Sequence, residues 1–206
     1  RLNTDTPEFR NWFGDSKVVD ADGKPMVVYH ATNNDFDTFD IGRAFGVGGQ
    51  GVYTTPVRPE GDQYGTFVMP LFMSLKNPVD FSSGDTSISD MAESMGMPRL
   101  SDLSSIPQMK EWSKELREKL IAAGYDGALV KGEKPGETYF VAFDPTQIKS
   151  AIGNRGTFDP NDANILNQSA RLNTDTPEFR NWFGDSKVVD AGGKPLVVYH
   201  GTQEDI

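Results

Sequence analysis

The chain has 206 residues, 36% hydrophobic and 24% charged, enough apolar material for a packed core and too little charge for a disordered polypeptide. No apolar run approaches the ~20 residues of a membrane-spanning helix; cysteine is absent, which removes disulfides and thiolate chemistry, and only two His argue against a multi-histidine metal centre. Thirty Asp and Glu against twenty Lys and Arg give a net charge of -10, a balance that repels phosphate backbones and disfavours generic nucleic-acid binding.

The opening residues, Arg1 to Asp5, carry no initiator Met and no apolar signal region, and read as a cut from a longer polypeptide. Thr6 as N-cap and Pro7 at the first helical position predict a short helix whose apolar face is Phe9, Trp12 and Phe13. Asp22-Gly23 predicts a hairpin turn before the strand Met26 to His30. Phe36 and Phe39 bracket a loop leading to the glycine cluster Gly46 to Gly51, then a short strand Val52-Tyr53-Thr54 and a short helix over 59–64. Val68 to Leu75 reads as a buried strand stopped by Asn77-Pro78, and 81–105, rich in Ser, Asp and Met with weak periodicity, reads as a variable insertion. Met109, Trp112, Leu116, Leu120 and Ala123 share one face of a helix over 108–123, ended by Gly124. Tyr125 to Val130 and Thr138 to Phe143 are two further strands. Short strands without regular β-α alternation predict an α+β domain.

Residues 171–206 repeat residues 1–36 at an offset of 170, with 30 of 36 positions identical, so His200 is the twin of His30. A period this long fits a whole domain. The expected organisation is a domain over 1–158, a polar linker over 159–170, and over 171–206 the truncated N-terminal part of a second tandem copy. That piece is too short for a core of its own. It is expected either to stay loosely ordered or to dock in a neighbouring molecule, giving a swapped dimer.

Three features carry chemistry: a strand-end histidine with a small residue and a hydroxyl after it (His30-Ala31-Thr32), a glycine cluster feeding Tyr53, and a carboxylate, Glu137, entering an apolar strand. Val27 to Thr32, then Gly51-Val52-Tyr53-Thr54-Thr55, then Tyr64 eleven residues after Tyr53, resemble the His-Tyr-Glu branch of the ADP-ribosyltransferases, which includes the poly(ADP-ribose) polymerases. More closely, Phe9 to Thr32 and the tail Phe143 to Ala151 resemble ADP-ribosyltransferase-like domains of phage polyvalent and MuF-type proteins.

This resemblance implies two small packed β-sheets with flanking helices forming a cleft for NAD, the ADP-ribose donor, with no metal. It assigns His30 to donate to a ribose hydroxyl, the Ala31 backbone to pair with the nicotinamide amide beside Thr32, and Gly51 to let the backbone pass the ligand. Tyr53 and Tyr64 would sandwich the nicotinamide ring. A carboxylate would hold the ribose 2′-hydroxyl and stabilise developing positive charge; Glu137 is the candidate, although registering Phe143-Asp144 on the family pattern puts Tyr139 at that position and Glu137 two residues earlier. Expected partners are NAD and a protein acceptor, with no membrane and no nucleic acid. The implied setting is a bacterial host cytoplasm or a phage virion. The rival readings are an inactivated transferase fold used for protein binding or virion packaging, favoured by Tyr139, and a phosphoryl- or nucleic-acid-directed transferase on the same fold, opposed by the acidic charge.

Overall fold

In the computed structural model the described residues are 4–34, 36–59, 65–132, 134, 137–154, 158–166, 177–189 and 192–196. The chain divides into two units, Arg1–Asn167 and Gln168–Ile206. In the first, an α+β unit, β1 (Val28–Thr32), β3 (Phe67–Met73) and β7 (Ile148–Ser150) form an antiparallel three-stranded sheet in the order β1-β3-β7. β2 (Val52–Thr54), β6 (Thr138–Ala142), β5 (Gly127–Lys131) and β4 (Pro78–Phe81) form the second sheet in that order, with β4 parallel to β5.

Alternation along the strands assigns each face to a layer. Val28, Leu71, Met73 and Ile148 from the first sheet meet Val52, Phe140 and Ala142 from the second in one buried cluster. The outer face of the second sheet, through Val79, Ala128, Val130 and Val141, packs on Trp112, Leu116 and Leu120 of the helix α3 (Ile106–Ala122). The outer face of the first sheet presents Phe72 to Phe9, Trp12 and Phe13 of α1 (Pro7–Phe13). α1 starts as its sequence dictates: the Thr6 side chain accepts from the Phe9 N–H at 3.1 Å, with Pro7 next in the chain.

Four expectations change. The first strand runs two residues later than read. The strand read as Val68 to Leu75 ends at Met73, short of Asn77-Pro78, and Pro78 itself opens an edge strand whose pairing with β5 tolerates its missing N–H. The stretch over 81–105 holds a helix, α2 (Ile88–Ser94), and buries Ala92 and Met97 in the α3 cluster, so it is part of the core. Its burial rests on scattered Met and Ala contacts that leave no clean period. Finally, the expected linker is largely built into the first unit. The Ile165 N–H donates to Asp37 O (2.7 Å), the Ser150 N–H donates to Ile165 O (2.8 Å), and the Ile165 side chain is 3% exposed. Phe158, just before this stretch, stacks edge-on against Phe9 at 4.9 Å. Buried Lys149 on β7 donates its ammonium to Asp162 O; desolvation lowers its pKa, opposed by Asp162 and Asp159.

The second unit contains α4 (Pro177–Phe183), identical in sequence to α1. Its local bonds repeat those of the first copy: Gly184 N–H to Arg180 O at 2.9 Å matches Gly14 to Arg10, and the bridge Val189–Pro195 matches Val19–Pro25. The twin residues His200 and Gly201 lie outside the described residues.

Candidate functional site

The two sheets of the first unit meet where β1 touches the end of β2. Tyr29 and Thr55 exchange backbone hydrogen bonds there, at 2.8 and 3.0 Å. This single pair puts the residue after Tyr29, His30, beside the residue two before Thr55, Tyr53. The His30 ring nitrogen Nδ1 lies 2.9 Å from the Tyr53 carbonyl. A carbonyl only accepts, so Nδ1 carries the proton and donates. Burial lowers the His30 pKa below its ordinary value of 6.5, which keeps the ring neutral at pH 7. A neutral ring protonated on Nδ1 has an unprotonated Nε2. Nε2 of such a ring can accept a hydrogen bond but not donate one, so the expected donation from His30 to a ribose hydroxyl would have to run the other way. Phe39 meets the ring at 5.0 Å and 88°, fixing its plane from the core side.

Ala31 and Thr32 continue β1 opposite Val68 and Phe67. Ala31 is half-buried; Thr32 is buried, and its hydroxyl accepts from the Asn34 N–H at 3.2 Å.

Tyr53 is held from the other side by the glycine cluster. Its hydroxyl donates to Gly49 O (2.7 Å) and accepts from the Gly48 N–H (3.1 Å). The ring lies close to Gly46, where a Cβ would fall 2.5 Å from the phenolic oxygen. Gly49 turns at φ +97°, a region that L side chains rarely adopt. The loop is tied in turn to α3, because the Ser113 hydroxyl accepts from Gly46 N–H (3.1 Å) and donates to Gly46 O (3.0 Å). Burial pushes the Tyr53 phenol pKa up, so it stays protonated and keeps its donation to Gly49. The glycines thus clamp a tyrosine. Gly51 has a structural reason of its own: a Cβ there would stand 2.5 Å from the Ala142 carbonyl of β6. Tyr64 lies outside the described residues.

Glu137 sits just before β6, and the pairing of Thr54 with Phe140 brings its carboxylate to the end of β2. Oε1 accepts from the Thr55 hydroxyl at 3.1 Å, and Oε2 accepts from the Lys134 N–H at 3.3 Å. The main chain is pinned by Gly132 N–H to Glu137 O (2.7 Å) and Glu137 N–H to Lys134 O (3.0 Å). Gly132 leaves the room for this side chain, since a Cβ there would lie 2.6 Å from Glu137 Cγ. Tyr139, two residues on, pairs with Val130 and packs against the apolar cluster under α3. His30, the Tyr53 main chain and Glu137 are thus joined through Tyr29 and Thr55, whereas the Tyr53 ring, like that of Tyr139, packs against the apolar cluster under α3.

Sequence reasoning missed Thr55 as the link and Ser113 as the loop's anchor. Thr55 was legible only as a hydroxyl two residues from Tyr53, on the same face of its strand. Among the described residues no group of three or more His, Asp or Glu side chains is placed to hold a metal ion. The junction offers an acceptor imidazole on β1 and an oriented carboxylate just before β6, with the Tyr53 phenol clamped beside it in the glycine loop. No curated protein and no solved structure matches the chain. A family model does match, over residues 20–158: that of the ADP-ribosyltransferases in polyvalent proteins.

Proposed function

Since the chain belongs to the family of ADP-ribosyltransferases in polyvalent proteins, we propose that it cleaves NAD and transfers ADP-ribose to a bacterial host protein, as a phage or prophage effector of the His-Tyr-Glu type. The junction that ties Glu137 to Thr55, and through Tyr29 to His30, supports this reading most. In the proposed reaction the bond between the nicotinamide nitrogen and the ribose anomeric carbon breaks, and its electron pair leaves on nicotinamide. The ribose gains oxocarbenium character, and a nucleophile of the acceptor forms the new bond while losing a proton. Glu137 holds the ribose 2′-hydroxyl and faces the developing charge. His30 accepts from a hydroxyl of the adenosine half, Tyr53 stacks with Tyr64 about the nicotinamide, and the backbone of Ala31 and Thr32 pairs with its amide. Such a domain acts in the host cytoplasm or is carried in the virion.

Stacking area serves ground-state binding, whereas a carboxylate aimed at developing charge serves the rate. Tyr53→Ala is therefore expected to lose NAD affinity more than Glu137→Gln, and Glu137→Gln to lose turnover more than Tyr53→Ala. Titration with NAD and assay of nicotinamide release measure both. Equal loss of binding in the two variants contradicts these roles.

A further inference from the structure

Thr55 lies one residue past β2, and its two halves do different work. Its backbone exchanges both hydrogen bonds with Tyr29, locking the end of β2 to the first sheet. Its hydroxyl accepts from the Val57 N–H at 3.2 Å. With that contact made, the hydroxyl's one proton is directed to Glu137 Oε1, 3.1 Å away. Glu137 itself enters from the β5–β6 turn, where its other oxygen takes the Lys134 N–H. Among the described residues each carboxylate oxygen has one donor, and the side-chain donor, Thr55, comes from beyond the end of β2. An unheld Glu side chain has three rotatable bonds to fix before it can address a substrate atom, and fixing them beforehand raises the rate of the step it serves.

We propose that Thr55 is a positioning residue: its hydroxyl sets the rotamer of Glu137 and couples it to the strand that carries His30. The proposal rests on the reading of Glu137 as the rate-determining carboxylate. Its consequence is a split in kinetic constants. Loss of the hydroxyl should lower kcat for nicotinamide release and leave KM for NAD near wild type, because Thr55 aligns a group used in the transition state rather than one that binds the ground state.

The test uses the 206-residue chain, NAD as the probe, and four variants: Thr55→Val, Thr55→Ser, Glu137→Gln and the double variant Thr55→Val with Glu137→Gln. Thr55→Val keeps the shape and the backbone bonds to Tyr29, and thermal melting of each variant reports whether the fold is intact. Hydrogen bonds to charged groups are typically worth 10- to 100-fold, so kcat in Thr55→Val should fall by about tenfold or more. Thr55→Ser should recover most of it, and the double variant should be no slower than Glu137→Gln alone. A Thr55→Val enzyme with wild-type kcat, a Ser variant as slow as Val, or independent additive losses in the double variant each overturn the positioning role. If Glu137→Gln keeps full turnover, the failure lies instead in the assignment of Glu137, and the role of Thr55 falls with it. Should Thr55→Val fail to fold, Thr55→Ser and Glu137→Asp decide: the proposal then requires most of the wild-type kcat in the first and a loss in the second, where the shortened side chain no longer reaches Thr55.

Discussion

At the residue scale, His30 shows how one hydrogen bond fixes chemical polarity. The Tyr53 carbonyl holds the proton on Nδ1, and desolvation keeps the ring neutral. The pH consequence follows in sign. In the unfolded chain His30 takes up a proton near its ordinary value of 6.5, whereas in the fold it does so only at lower pH. Below pH 6.5 the unfolded state therefore binds more protons, and stability falls as the solution is acidified towards the lower, folded pKa. His30→Gln should remove this part of the acid sensitivity. Urea midpoints at pH 7.5 and 5.5 measure it: the wild type should lose more between the two than the variant does, and parallel losses would contradict the assignment. The Nδ1–Tyr53 bond was not legible in the sequence, since it depends on the pairing of Tyr29 with Thr55, residues 26 apart. The identity of His30 as a strand residue followed from Val27-Val28-Tyr29 alone.

At the element scale, capping was sufficient for α1, which starts at Thr6, and period for the buried face of α3, although the Ser105 cap starts α3 two residues earlier than read. Elements whose reason is tertiary were not legible. β4 exists because β5 offers a parallel partner, and α2 because Ala92 and Met97 find space beside Trp112. The segment Asp159 to Leu166 reads as polar turns, yet two residues, Phe158 just before it and Ile165 within it, fix it to the domain. A linker residue changed to alanine moves stability by less than about 0.5 kcal/mol. Ile165→Ala is instead expected to cost about 2–5 kcal/mol, as a buried aliphatic does. Equilibrium urea unfolding of the two proteins reads the difference directly, and a change within the linker range would return 159–166 to a tether. Glu137 belongs to this scale too. Its place one residue before β6 was visible, but its contact with Thr55 comes from the register of β2 on β6, which sequence patterns do not specify.

At the scale of the whole molecule, the repeat gives two identical helices different surroundings. Trp12 is 3% exposed under Phe158 and Phe72, while its twin Trp182 is 79% exposed. An apolar face that fits a socket present in every copy of the chain favours exchange between molecules. Light scattering on 1–206 is expected to show concentration-dependent dimers that a chain ending at Ala170 does not form; equally monomeric samples at high concentration would rule exchange out. The 206-residue chain is incubated with NAD labelled in the adenosine half and a bacterial lysate, beside Glu137→Gln. The wild type is expected to label protein and release nicotinamide, with both strongly reduced in Glu137→Gln. Neither release nor transfer by the wild type would contradict this expectation, and would leave the domain as a non-catalytic member of its family.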